Sequence, residues 1–230
     1  MKKIIAITLL IVSTTLAYSA QRENDWKKDK LKGKVKEYTK IDLRNRNVAG
    51  NIIKEVIGKT VHKYDNLGNK LEEAYYKADG SIIRKMVCRY DSNSNLVETI
   101  ISKSGGLIEE KSVFKYDSQN KMTEKYDYKG DGSLNIKTVY KYDNHGNKIE
   151  EAYHKANGSL DGKTVYKFDS KNKLVERAEY KTGNKPVLLT VYKYDSRGNE
   201  LEHAFYNADG TSGKWIYKYD NNGNKVEFTI

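Results

Sequence analysis

Carboxylates, four histidines, one cysteine and rows of tyrosine are the residues of this chain whose chemistry could serve a site. Glutamates recur at one place in a repeating pattern: Glu72, Glu98, Glu124, Glu150, Glu176, Glu202 and Glu227. Paired carboxylates can run glycoside hydrolysis. Each of these, however, is set to face a base across a hairpin, in the column Lys63, Arg89, Lys115, Lys141, Lys167, Lys193 and Lys218. An active site needs one asymmetric constellation with divergent environments, and equivalent carboxylates supply none. Opposite charges across a hairpin contribute about 0.2–1 kcal/mol each and fix register, so the column reads as structural. The expectation is a protein that is not an enzyme.

The other chemistry-bearing residues read the same way. His62 and Cys88 share a column with Phe114, Tyr140, Tyr166, Tyr192 and Tyr217, which makes both packing variants. His145 falls in a turn, and with His154 and His203 it forms no metal-ligand spacing, so neither a metal nor a cofactor is expected. Asp220-Asn221-Asn222-Gly223-Asn224 lacks the alternating acids and later glutamate of a calcium loop, and turn formation explains its Asp, Asn and Gly. Two aromatic rows remain. One is Tyr64, Tyr90, Tyr116, Tyr142, Phe168, Tyr194 and Tyr219; the other is the column from Phe114 to Tyr217. Such stripes are most often core, but amphipathic rings left wet can stack on sugars. The candidate ligand-binding residues are therefore Tyr116, Tyr140, Tyr142, Tyr166, Tyr192 and Tyr194, with Tyr75, Tyr153 and Phe205 as rim positions.

Positioning these residues falls to a repeat. Val61-His62-Lys63-Tyr64-Asp65 returns six times, with Asp at 65, 91, 117, 143, 169, 195 and 220, a period of 26 five times and then 25. After the Asp comes a turn, often ending Gly-Asn, then a second alternating run such as Lys70–Lys77, usually closed by Asp-Gly or Asn-Gly. Alternating runs rich in Val, Tyr and Thr between such turns are β-hairpins. The predicted fold is all-β: seven antiparallel hairpin repeats in a long, twisted, curling meander. With a leading strand near Val35–Leu43 it holds about fifteen strands, roughly 70 Å long at ~4.8 Å per strand. Pairing Asp65 with Lys70 and Ala78 with Ser81 gathers Thr60, His62, Tyr64, Leu71 and Tyr75 on an aromatic face. The basic and acidic columns then take the other face.

Composition agrees. Of 230 residues, 37% are hydrophobic and 32% charged, with 19 Tyr and one Pro. The aromatic and β-branched content argues against disorder, and a lone cysteine excludes a disulfide scaffold. Residues 1–20 read as a signal peptide: a basic start, an apolar run from Ile4 to Val12, and small residues up to cleavage after Ser19 or Ala20. The protein is therefore expected to be exported, periplasmic or secreted, with no membrane span once the signal is removed. Removal leaves 40 basic against 31 acidic residues, or +9. Such a protein meets acidic polysaccharide, lipid headgroups or wall polymers. Nucleic acid is disfavoured because the basic column is interleaved with an acidic one. Residues 21–55 are expected to form an N-terminal segment and capping strand, with residues 21–30 poorly ordered apart from Trp26 and residues 43–51 a loop. Residues 56–230 hold the repeats.

Tyr140-Lys141-Tyr142-Asp143-Asn144-His145-Gly146-Asn147 and Tyr192-Lys193-Tyr194-Asp195-Ser196-Arg197-Gly198-Asn199 resemble the YD, or RHS, repeat family of bacterial secreted and surface proteins. The resemblance covers about residues 59–230, with a longer and more regular period than is usual there. It implies hairpins wound into spiral shells and carbohydrate binding, in a small relative without a toxin domain. The expected function is non-catalytic recognition of an envelope or extracellular polymer such as a glycan. The alternative is a structural or protein-interaction module whose sheet edges, such as Phe228-Thr229-Ile230, pair with a partner strand or a second copy.

Overall fold

The structure, a computed structural model, describes residues 25–229. The expected signal peptide and Ile230 lie outside the described residues. A single turn of helix, α1 (Asp25–Lys28), precedes fifteen strands. These are β1 (Glu37–Val48), β2 (Asn51–Tyr64), β3 (Lys70–Lys77), β4 (Ile82–Tyr90), β5 (Leu96–Lys103), β6 (Ile108–Tyr116), β7 (Met122–Lys129) and β8 (Leu134–Tyr142). They continue as β9 (Lys148–Lys155), β10 (Leu160–Phe168), β11 (Leu174–Tyr180), β12 (Leu188–Tyr194), β13 (Glu200–Asn207), β14 (Ser212–Tyr219) and β15 (Lys225–Thr229). All fifteen form one antiparallel sheet in sequence order, open at β1 and β15. Substantial strand contacts are made between consecutive strands, and apart from the segment that leads into β1 no second layer covers either face among the described residues. Burial is correspondingly shallow: among the described residues no large side chain is fully buried, and the best-buried positions are Ala74, Ala178 and Ala204.

Seven hairpin repeats run from β2–β3 to β14–β15, as the period predicts. Each turn is built by its Asp. In the first, the Asp65 carboxylate accepts the N–H groups of Leu67 and Asn69 at 2.8 and 2.9 Å, and the same pair of bonds recurs at all seven aspartates. The residue three beyond each Asp has positive φ; Gly takes it four times, and Ser94, Asn120 and Asn172 take it otherwise. Asn147 donates both to Asp143 at 3.0 Å and to Asn172 of the next turn at 3.1 Å, so neighbouring turns are also stitched together.

Register is as expected at the centre of the hairpins and differs at their ends. Lys63 faces Glu72, His62 faces Glu73, and Glu72 faces Val87. Tyr64, however, and not Asp65, faces Lys70, because a bulge inserts Leu71. The equivalent bulge follows the turn in every repeat. A second bulge, at Ile83, displaces the Ala78–Ser81 pairing, so that Tyr76 faces Ile82. The bulge lets the five-residue turn close with the Asp carboxylate inside it while the strands keep their hydrophobic parity.

Three further expectations are corrected. Residues 43–51 are not a loop: β1 runs to Val48 and β2 starts at Asn51, around a tight Ala49-Gly50 turn with φ of 50° and 87°. The leading strand starts at Glu37, not Val35. Within the 21–30 stretch, the described residues from Asp25 on are structured. Trp26 is buried with its indole N–H on the Val35 carbonyl at 2.5 Å, and Asp29 accepts the Tyr64 hydroxyl at 2.6 Å. This segment caps the first repeat.

Candidate functional site

The two faces of the sheet carry different side-chain systems. On one, the charged columns form a zigzag. Glu72 lies between Lys63 (3.2 Å) and Lys85 (2.6 Å), Glu98 between Arg89 (2.9 Å) and Lys111 (2.6 Å), and Glu124 between Lys115 (3.0 Å) and Lys137 (2.5 Å). Glu150 and Glu202 repeat the arrangement with Lys141 and Lys163, and with Lys193 and Lys214. Lys85, Lys163 and Lys214 each face an alanine, Ala74, Ala152 or Ala204. The missing bulk lets the lysine stem lie over the alanine toward the glutamate, which buries the alanine. Hydrogen bonds from Lys137, Lys115 and Tyr126 hold the Glu124 carboxyl down at about 2. A carboxylate so placed is an ion-pair partner for two cations and is ill-suited to proton transfer near neutrality.

The opposite face carries the two tyrosine rows, though not as a purely aromatic surface. Glu73, Lys125, Glu151 and Arg177 stand on it, each opposite a member of the His62–Tyr217 column. Alternation alone places them there, so charge sits on both faces. The Tyr-Asp tyrosines are pinned: Tyr90, Tyr116, Tyr142, Tyr194 and Tyr219 each donate a hydroxyl hydrogen bond of 2.8–3.0 Å to a backbone carbonyl of the preceding repeat. For Tyr142 that carbonyl is Met122, just beyond the last β7–β8 pair, Glu124–Val139. Burial pushes the Tyr142 hydroxyl up to about 12.

Of the six candidate residues, then, Tyr116, Tyr142 and Tyr194 have hydroxyls committed to the backbone. Lys121 and Lys173 also sit 5.7 and 5.8 Å from the ring centres of Tyr142 and Tyr194. Tyr140 and Tyr166 share Lys148, at 5.5 and 5.2 Å, which in turn pairs with buried Glu151 at 2.5 Å. Burial raises the Tyr140 hydroxyl well above its ordinary value. Tyr192 alone of the six joins an aromatic cluster.

That cluster is where the protein departs from its own repeat. Tyr192 of β12 lies 4.8 Å from His203 of β13, His203 lies 4.9 Å from Trp215 of β14, and Trp215 lies 5.3 Å from Phe205 of β13, ring centre to ring centre. Trp215 faces His203, a place held in earlier repeats by Met86, Ser112, Thr138, Thr164 and Thr190. Gly213 leaves room for the Phe205 ring opposite it: a Cβ there would come to 2.5 Å from that ring, which would have to shift. The last period has 25 residues because β13 pairs with β14 without the bulge that interrupts β3–β4, β5–β6, β7–β8 and β9–β10. Tyr217 of β14 and Phe228 of β15 stack at 5.5 Å and extend the strip to the sheet edge. His203, Trp215 and Tyr217 are not among the candidate residues that the sequence singles out. The signal is present there, as a tryptophan in a threonine column beside the one irregular period.

Cys88 is buried, which pushes its thiol up to about 11 and makes it a poor nucleophile at neutral pH. Among the described residues no group of three His, Cys, Asp or Glu side chains converges, and no helix is long and apolar enough to cross a membrane. A groove of about 360 Å³ between Ile108, Lys111 and Tyr128 is shallow and lies on the charged face.

Residues 189–230, which span β12–β15, match the model of a protein family of unknown function, DUF2963. No curated protein matches the chain. The sheet is similar to part of the crystal structure of TcdB2-TccC3-Cdc42, with a TM-score of 0.58 at 15% identity, covering 84% of this chain and 10% of that one. It is equally similar to TcdB2-TccC3 without its hypervariable C-terminal region, with a TM-score of 0.58 at 14% identity over the same shares. This chain thus spans about a tenth of the length of the structures it matches. At these identities the likeness is one of fold, a β-repeat scaffold.

Proposed function

We propose that the protein is an exported, non-catalytic β-repeat scaffold that holds an extended polymer, a glycan in the first instance, against the aromatic strip of β12–β15. The observation that carries this reading is the Tyr192–His203–Trp215–Phe205 cluster, which Trp215 completes by breaking its column of the repeat. The three preceding repeats hold threonine at the place that Trp215 takes. Adjoining aromatic faces on an open sheet suit the apolar faces of sugar rings, while Tyr and His supply polar edges. Tyr140 and Tyr166 continue the same face toward the middle of the sheet and serve as outer contacts for a longer chain, adding weak contacts in series. The fold likeness to TcdB2-TccC3 supports the YD-repeat resemblance at the level of architecture.

The test is a pull-down with purified envelope polysaccharides and insoluble glycans at low and high salt, comparing the wild type with Trp215→Thr. Threonine is the repeat's own residue there, so the variant keeps the sheet. Retention that survives salt and falls at least tenfold in the variant supports the reading. Retention that vanishes with salt reports only the basic charge, and no retention at all overturns the glycan. A second reading, pairing of a partner strand with an open edge, is favoured by the unpaired outer sides of β1 and β15. It predicts a complex that dissolves when proline is placed in an edge strand and is indifferent to Trp215→Thr.

A further inference from the structure

The β1–β2 hairpin runs past the sheet. β3 ends at Lys77 opposite Gly58, so beyond that point β1 and β2 form a two-stranded ribbon with no third strand beside it among the described residues. Six residue pairs, Leu43–Val56 to Val48–Asn51, extend it by about 20 Å at ~3.3 Å per residue. The ribbon is apolar and open: Leu43, Val48, Ile52, Ile53, Val56 and Ile57 are all exposed, and Ile52 beside the tip turn is 73% exposed. From the pairing, Leu43, Ile52 and Val56 stand on one face, and Val48 and Ile53 on the other. Arg44, Arg46 and Lys54 are interspersed, against one acid, Glu55, which pairs with Arg44 at 2.8 Å. The charge excess of the chain is concentrated at this end. Residues 25–59 hold 11 basic and 5 acidic side chains (+6), and residues 60–229 hold 28 and 25 (+3).

We propose that this hairpin is a membrane-surface anchor whose tip enters the headgroup region of an anionic bilayer. Val48, Ile52 and Ile53 reach the acyl boundary, and Arg44, Arg46 and Lys54 bind lipid phosphates. Aliphatic residues on both faces and around the tip suit an occupant that surrounds the ribbon. A flat protein surface or a second copy laid against it would cover one face and leave the other wet. Charge complementarity points the same way: a net-basic arm on the most basic part of the protein fits a negative surface. Depth is limited, because the outer edges of the ribbon carry unpaired backbone groups that hydrocarbon would not satisfy. The arm therefore anchors and does not span. It acts independently of the aromatic strip, which lies at the other end of the sheet.

The test is vesicle flotation of the chain from Gln21, which holds the whole described structure and lacks the apolar residues 4–12 that would bind lipid by themselves. Vesicles of phosphatidylcholine alone are compared with vesicles containing 30% phosphatidylglycerol. Binding is expected only with the anionic lipid, and Ile52→Ser with Ile53→Ser is expected to lower it at least tenfold. Both positions are exposed, so the fold should survive. Ile52→Trp supplies a second readout, a blue shift of emission on adding the anionic vesicles. Absence of binding, binding that the double serine variant leaves unchanged, or emission of the Ile52→Trp variant that anionic vesicles leave unshifted would overturn the proposal. So would a double variant that abolishes self-association, measured by light scattering, while leaving vesicle binding intact; that result assigns the ribbon to a second copy.

Discussion

Phe168 is the natural experiment among the Tyr-Asp tyrosines. It occupies the place of Tyr142 and Tyr194 without a hydroxyl, so nothing there reaches the carbonyl of Lys148 as Tyr142 reaches Met122. Tyr142→Phe is expected to cost about 1 kcal/mol in denaturant unfolding, and Phe168→Tyr to return a similar amount by adding the missing bond. The turn aspartates carry more. Asp143 accepts two backbone N–H groups and the Asn147 amide, so Asp143→Ala leaves several polar groups without their partner. A loss of about 1–2 kcal/mol is expected for Ala and much less for Asn, which keeps an accepting oxygen. These roles are legible in the sequence, since recurrence at a fixed spacing marks a structural duty. A site, by contrast, is a departure from recurrence: Trp215 shows in the sequence as a break in its column, whereas its facing of His203 shows only in the strand pairing.

At the scale of the elements, hairpin centres are legible and hairpin ends are not. Alternation fixes which residues share a face, so Lys63–Glu72 follows from parity alone. A bulge has no such signature, because Leu71 is as apolar as a residue inside the ladder, and the extra residue shows only in the pairing. The 37–57 hairpin hides for a related reason: Asn45, Asn47 and Asn51 look like loop residues, yet Asn45 and Asn47 alternate with Arg44, Arg46 and Val48 along β1, and Asn51 opens β2. The ion-pair zigzag makes an element-scale prediction about pH. Burial opposes ionisation at Glu72, yet its lysines outweigh that effect, and Glu72, Glu124, Glu150 and Glu202 are all held below the ordinary carboxylate range, with Glu124 at about 2. For a depressed group the stabilisation is complete above the unfolded value of ~4.3 and fades as pH falls toward the folded one. Thermal unfolding should therefore be level from pH 7 to 5 and fall steadily from pH 5 to 2, with a shallower fall in Glu124→Gln. An unchanged profile in that variant would remove the zigzag from the account of stability.

Over the whole molecule, stability should accumulate along one dimension. Each repeat touches its neighbours and little else, as in other repeat arrays. Deleting one internal period, residues 118–143, rejoins equivalent positions and should leave a folded, shorter sheet with the same strand content per residue by circular dichroism. A globular core would not tolerate that loss. The scaffold is thus regular in the middle and individual at both ends, with a capped and armed N-terminus and an aromatic C-terminal strip. Binding at that strip is the central claim, and Trp215 reports on it directly, since the other tryptophan of the described residues, Trp26, is buried in the cap. The decisive measurement is a tryptophan fluorescence titration with soluble fragments of a glycan that the protein retains. Saturable change in emission at the concentrations that give binding, absent in Trp215→Thr, is the predicted result. Undiminished binding with an unmoved Trp215 signal would contradict the account and place the ligand elsewhere on the sheet.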